Sequence, residues 1–201
     1  KQVLRAVKDS FASLFEPRAI YYRTINKFDH LKVGLASPVQ KMIQSRQSGI
    51  MFTIEPVTNN PDQIVIDAVL GLGEAIVSGS VNPDHFVIEK GGLKIIEKQI
   101  GRQAWQMVYK NGKNVHVGLT ETQKNTQKIS DAQILELARL AKQIESYYKT
   151  PQDTEWAIEN NAIYLVQSRP ITTYKPQPAG KIIPIQIQAD GKEPTTVLPA
   201  G

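Results

Sequence analysis

Apolar residues recur at helical spacing along the start of the chain: Val3, Leu4, Val7, Phe11 and Leu14 fall near a 3.6-residue period. This predicts an amphipathic helix over residues 2–15, which Pro17 interrupts. A second helix is expected from about Arg18 to Phe28. From Leu35 onward the pattern changes to short apolar runs rich in β-branched residues, at Val39–Ile43, Gly49–Ile54, Ile64–Leu70, Phe86–Glu89, Lys94–Ile100, Gln106–Tyr109 and Val115–Val117. Turn signals separate them at Asn59-Asn60-Pro61-Asp62, Gly91-Gly92 and Asn111-Gly112, the last a type I′ hairpin candidate. The middle of the chain therefore reads as a sheet.

Ser130 followed by Gln133 forms a capping box, and Ile134, Leu137, Ala141, Ile144 and Tyr148 continue a helical stripe to about Lys149. After Pro151, two alternating segments, Asp153–Glu159 and Ile163–Arg169, meet around Asn160-Asn161 and predict a hairpin. Beyond Thr173 the chain carries five prolines and three glycines without helical periodicity, which reads as a linker or the first strand of another domain. The expected class is α+β, with helices near both ends packed on a largely antiparallel sheet.

Composition narrows the chemistry. At 201 residues and 41% hydrophobic, the chain is large enough for a substantial core. It has no apolar run long enough to span a bilayer, and Lys1-Gln2-Val3-Leu4-Arg5 is unlike a signal peptide, so a cytoplasmic location is expected. The absence of cysteine excludes disulfides and thiolate chemistry, and His30, His85 and His116 lie far apart without ligand spacing. A metal would be held mainly by oxygen, which points to magnesium, manganese or calcium. The net charge of +5 comes from 24 basic residues interleaved with 19 acidic ones, not from a clustered stripe, so neither nucleic acid nor membrane is expected as a partner.

The late hairpin holds the most informative chemistry. Period-two alternation puts Asp153 and Glu155 on one face of the first strand, and Gln167 and Arg169 on one face of the second. A three-residue loop of Asn160, Asn161 and Ala162 pairs Glu155 with Gln167 and Asp153 with Arg169, and sends Trp156, Ile158, Tyr164 and Val166 to the core side. A two-residue loop sends the two polar sets to opposite faces. On the odd loop, Glu155 and Gln167 offer oxygen to a hard divalent cation, and Arg169 offers a planar fork to phosphate. The alternative is an ordinary salt bridge and amide pair on a solvated face.

The stretches Asp153-Thr154-Glu155-Trp156-Ala157 and Tyr164-Leu165-Val166-Gln167-Ser168-Arg169-Pro170 resemble the end of the ATP-grasp domain of the dikinase family, which contains phosphoenolpyruvate synthase, pyruvate phosphate dikinase and rifampin phosphotransferase. Other blocks agree in order: Ser13-Leu14-Phe15 with Arg18-Ala19-Ile20, Val39-Gln40-Lys41-Met42, Gly49-Ile50-Met51-Phe52-Thr53, Gly71 to Gly79 and Asn82-Pro83-Asp84. The resemblance covers roughly Val3 to Thr173, and the first block and Phe28-Asp29-His30 are most similar to phosphoenolpyruvate synthase.

The resemblance implies that Glu155 and Gln167 ligate magnesium on the phosphates of ATP, that Arg169 contacts those phosphates as the catalytic group, and that Asp153 orients the cluster. It implies that Gln40 and Met42 line the purine pocket, and that the Gly71-Leu72-Gly73 loop flanks the nucleotide cleft with Glu74 and Ser78. It further implies that residues 1–173 are the C-terminal portion of an ATP-grasp domain, preceded by a lobe with a lysine and an arginine on the phosphates. Residues 174–201 would lead toward a phosphohistidine domain, and pyruvate would bind only through domains outside this chain. The implied reaction converts ATP, pyruvate and water to phosphoenolpyruvate, AMP and phosphate through a phosphohistidine. The chain alone is expected to be inactive, since His30, His85 and His116 lack the family's phosphohistidine motif. The competing readings are a rifampin phosphotransferase or pyruvate phosphate dikinase, and a non-catalytic α+β binding module.

Overall fold

A computed structural model describes residues 2–172, Tyr174, and two short strands at Gln186–Ile187 and Thr195–Thr196. The chain divides into two compact units, Lys1–Met42 and Ile43–Gly201.

In the first unit, α1 (Gln2–Ala12) runs into a 3-10 turn (Ser13–Phe15), and α2 (Pro17–Ile25) follows with proline in its first turn, where a missing N–H costs nothing. The predicted stripe of α1 is helical as expected, yet none of its residues is buried; periodicity marks a helix without saying what it packs against. Arg23 is the buried residue of α2, its Nε donating to His30 Nδ1 at 3.1 Å and its Nη2 to the Leu14 carbonyl. His30 is thereby a structural acceptor. The strand expected at Val39–Ile43 does not form: no neighbouring strand pairs with this segment, and Val39 and Met42 are exposed. A β-branched run fits a pleated surface only where a ladder partner exists.

The second unit is built on a six-stranded antiparallel sheet of β1 (Gln47–Phe52), β2 (Gln63–Leu70), β3 (Asp84–Glu89), β4 (Lys94–Gln99), β7 (Gln152–Glu159) and β8 (Ala162–Pro170). Their order across the sheet is β4-β3-β2-β1-β7-β8. Between β4 and β7 come the hairpin β5 (Trp105–Lys110) and β6 (Lys113–Gly118), then α4 (Glu121–Asn125) and α5 (Asp131–Tyr148). The hairpin turns at Asn111-Gly112, both at positive φ as expected, but it forms a separate two-stranded ribbon. A one-turn helix, α3 (Glu74–Val77), follows β2.

Alternation divides the sheet into two unlike faces. On one, Met51, Ile64, Ile66, Ala68, Phe86, Ile88, Trp156 and Ile158 pack against Ile134, Leu137, Ala138 and Ala141 of α5. The indole of Trp156 lies across Gly49: a Cβ at residue 49 would stand 2.5 Å from Trp156 Cζ2 and 1.9 Å from the Asp67 carbonyl oxygen, so only glycine fits. The other face carries Asp153, Glu155 and Ala157 of β7, Ser48 and Ile50 of β1, Asp67 of β2 and His85 of β3.

Two buried polar devices hold the sheet margins. Asp84 and Lys128, both essentially inaccessible, pair at 3.0 Å, and Asp84 also accepts from the backbone N–H groups of Gly101 and Lys128. Gln103 is wholly buried and stands in for a strand, accepting from Leu70 N at 2.9 Å and donating to the carbonyls of Leu70 and Trp105. Helix α5 starts at the predicted Ser130/Gln133 capping box, and α4 has its own at Thr120/Gln123. Past Thr173, Gln186 pairs with Thr196 and Ile187 with Thr195; the rest of the expected linker, apart from Tyr174, lies outside the described residues.

Candidate functional site

The β7–β8 hairpin closes on two residues, not three. Glu159 pairs with Ala162, and Asn160 and Asn161 both sit in the left-handed region at φ 51° and 64°, the type I′ geometry that asparagine tolerates. The expected three-residue loop is therefore corrected. By parity alone this turn would part Glu155 from Gln167. A β-bulge reverses the outcome: Trp156 pairs with Leu165 while Glu155 pairs with Gln167, so Val166 is an extra residue on β8.

Beyond the bulge the two polar sets meet as the odd register required. Gln167 Nε2 donates to Glu155 Oε1 at 3.2 Å, and Arg169 Nε and Nη2 reach Asp153 Oδ2 at 2.9 and 2.8 Å. On the turn side the expectation fails. Tyr164 pairs with Ala157 and so shares the face of Glu155, with 40% of its surface exposed, and Val166 is the bulged residue. Leu165, paired with Trp156, and Ile163, packed on the core, take the places expected of Tyr164 and Val166.

The pairing continues as a row across the sheet: Gln167, Glu155, Ile50, Asp67, His85 and Gln99 are successive cross-strand partners. His85 Nδ1 lies 2.6 Å from Asp67 Oδ1, and this hydrogen bond holds the imidazole above its ordinary value of 6.5 against the opposing effect of burial. A cavity of about 390 Å³ opens beside the pair, lined by Asp67, Asn82, Pro83, His85, Gln99, Ile100 and Gly101. No feature of the sequence marked Asp67 or His85, because their partnership depends on the register of β2 and β3.

The remaining expected residues are placed separately. Glu74 opens α3 and accepts from Asn114 Nδ2 at 2.8 Å; Ser78 ends it, 2.7 Å from Ser80 Oγ. A Cβ built on Gly73 would lie 3.7 Å from Ser48 Oγ, so α3 starts over the face that carries Glu155. Gln40 and Met42 belong to the first unit and are exposed. The structure thus gathers Asp153, Glu155, Gln167 and Arg169, and sets Glu74 and Ser78 on the neighbouring short helix.

The cluster's donor set suits a hard cation bridged to phosphate. Rotating the Gln167 amide by half a turn places its oxygen beside the Glu155 carboxylate, giving two oxygen ligands. No group of three or more His, Asp or Glu side chains among the described residues is arranged to hold a metal, so such an ion would complete its shell with phosphate oxygens and water. Asp153, only 14% exposed, anchors the guanidinium of Arg169, which is 66% exposed and whose Nη1 makes no hydrogen bond among the described residues.

An antiparallel sheet backed by a helix on one face, with an acid, an amide and a guanidinium on the other, is an α+β layer arrangement. The family described as pyruvate phosphate dikinase, AMP/ATP-binding domain, matches residues 1–189, and the chain belongs to that family. It is 45% identical over 191 residues to a probable phosphoenolpyruvate synthase of Archaeoglobus fulgidus, covering 95% of this chain and 25% of that protein. Over 183 residues it is 46% identical to the phosphoenolpyruvate synthase of Pyrococcus furiosus, covering 86% of this chain and 22% of that protein. Rifampicin phosphotransferase of Bacillus cereus is 41% identical over 179 residues, 89% of this chain and 20% of that protein. The chain thus spans a quarter or less of the length of these relatives. No helix among the described residues is long and apolar enough to cross a membrane.

Proposed function

We propose that this chain binds magnesium–ATP on the open face of its sheet, as the nucleotide-binding part of a phosphoenolpyruvate synthase. The observation that carries the reading is the Glu155–Gln167 pair at 3.2 Å with Arg169 one step along the same strand. Glu155 and Gln167 would hold magnesium, which neutralises charge on the phosphate oxygens and fixes their geometry when bound. Arg169 donates to the same phosphates, and Asp153 keeps its fork in place. In phosphoryl transfer the protein contributes mostly position and charge, so a fixed cation site and a fixed guanidinium supply much of what the reaction needs from this face.

On the same reading, Glu74 and Ser78 border the nucleotide and Gln40 and Met42 line the purine, roles that rest on the family resemblance. Residues 1–173 are the ATP-grasp portion, and pyruvate and the phosphohistidine belong to other domains of the parent enzyme. The parent would convert ATP, pyruvate and water to phosphoenolpyruvate, AMP and phosphate. The similarity to rifampicin phosphotransferase supports a second acceptor assignment with the same nucleotide chemistry.

Calorimetric titration with ATP tests the reading. Binding that requires magnesium and is lost in Glu155→Ala supports it; binding indifferent to both magnesium and Glu155 defeats it, and leaves a non-catalytic α+β module as the better account. Assaying the parent enzyme with pyruvate and with rifampicin separates the two acceptors.

A further inference from the structure

We propose that Gln152 and Ser168 form a brace on the α5 side of the sheet that positions Gln167 and Arg169 on the other side for magnesium–ATP. The inference rests on the magnesium–ATP reading above and assigns two positioning residues to that site, both on the face turned away from the ligand.

The need for a brace follows from where the chemistry sits. β8 is an edge strand, so only β7 holds it. Gln167, Ser168 and Arg169 lie between two interruptions of that single ladder. On one side Val166 is bulged out; on the other Pro170, paired with Gln152, has no N–H to donate.

A side-chain bond makes good the loss. Ser168 pairs with Thr154, and Gln152 stands two residues along β7 on the same face, so Ser168 and Gln152 are diagonal cross-strand neighbours. Ser168 Oγ lies 2.9 Å from Gln152 Oε1. The Gln152 amide is fixed in its orientation, because Nε2 donates to the carbonyls of Thr150 and Pro151 at 3.1 and 3.2 Å. Oε1 therefore accepts, and the serine hydroxyl donates. Gln152 is itself 1% exposed and held through its main chain: its N–H donates to Thr53 Oγ1 and its carbonyl accepts from Thr53 N, each at 2.9 Å. The edge strand is thus tied at Ser168 to the segment that extends the interior strand β1. Gln167 and Arg169 flank Ser168 and point to the opposite face, so the same bond sets their distances to Glu155 and Asp153 from behind.

The test compares Ser168→Thr with Ser168→Val on the full chain. The two side chains have nearly one shape, both suit a strand, and only threonine keeps the hydroxyl. Calorimetry should show Ser168→Thr binding magnesium–ATP as the unaltered chain does and Ser168→Val binding it roughly fivefold more weakly, the scale of one neutral hydrogen bond. Ser168 is exposed, so the thermal midpoints of the two variants should agree. The NMR resonance of Arg169 Nε–H, which reports its bond to Asp153, should be displaced without ligand in Ser168→Val and unmoved in Ser168→Thr. In a Gln152→Met background the threonine and valine variants should bind alike, since the hydroxyl has lost its acceptor. Should Gln152→Met fail to fold, the Ser168 comparison decides alone. Equal ATP affinity of Ser168→Thr and Ser168→Val overturns the brace and leaves the phosphate site standing. Failure of the unaltered chain to bind magnesium–ATP overturns both readings.

Discussion

Glu155 and Gln167 face one another at 3.2 Å across a hairpin whose two-residue turn would otherwise part them, because Val166 is bulged out of the ladder between β7 and β8. One supernumerary residue thus decides which face of the sheet the amide and the guanidinium occupy. Bulges have this use near functional sites: they re-aim side chains without altering either end of a strand.

Deleting Val166 tests that parity directly. Without Val166, Leu165 and Gln167 of the present numbering become successive residues that pair regularly with Trp156 and Glu155, so Gln167 and Arg169 keep the face of Glu155 and Asp153. The expected result is a folded protein by circular dichroism that retains magnesium-dependent ATP binding. Loss of binding in the folded variant would show that face parity alone does not set the site.

Arg169 is held by Asp153 yet remains 66% exposed, so its replacement should affect binding and not stability. Arg169→Lys keeps the charge and loses the planar fork. We expect ATP affinity to fall roughly tenfold, corresponding to a charge-assisted hydrogen bond of about 1.5 kcal/mol, with an unchanged thermal midpoint. Calorimetry and a melting curve on one sample check both halves.

The Asp84–Lys128 pair predicts the opposite pattern. Both side chains are buried, so Lys128→Met leaves an unpaired carboxylate in the interior and should cost about 3–5 kcal/mol in urea unfolding. Asp84→Asn combined with Lys128→Met removes both charges and should recover part of that loss. The recovery should be incomplete, because Gly101 N and the residue 128 N–H donate to different oxygens of Asp84 and the one amide oxygen of asparagine can keep only one of these bonds.

His85 gives the fold a pH dependence. Its pKa is raised above 6.5 by the bond to Asp67, with Glu97 and Glu55 adding to the attraction. A raised folded-state value means that the stabilisation is fully present below pH 6.5 and is lost as pH climbs through the folded value. Thermal midpoints of the unaltered protein should therefore decline from pH 6.5 upward relative to those of His85→Gln, which lacks this titration. Parallel curves for the two proteins would remove the Asp67–His85 bond from the account.

Much of this architecture could be read from residues. The Ser130/Gln133 box and the stripe from Ile134 to Tyr148 located α5, and Asn111-Gly112 located the β5–β6 turn, because both signals are local. The chemistry of Glu155, Gln167 and Arg169 was legible as a set of residue types, and their juxtaposition was foreseen on the wrong grounds. Period two and turn length cannot foretell a bulge, which depends on how Trp156 and Leu165 settle against the core. The same limit put Tyr164 on the wrong face. Val39–Ile43 misled because β-propensity records fitness for a ladder and not the presence of one. Asp84–Lys128 and the strand-like Gln103 were invisible, since their partners lie dozens of residues away.

The most direct test of the cation site is to follow the Gln167 side-chain amide by NMR while manganese, a magnesium surrogate, is added with ATP. The account predicts selective broadening of that resonance in the unaltered protein and its absence in Glu155→Ala. A sharp Gln167 signal at saturating manganese–ATP, or broadening that persists without the Glu155 carboxylate, would contradict it.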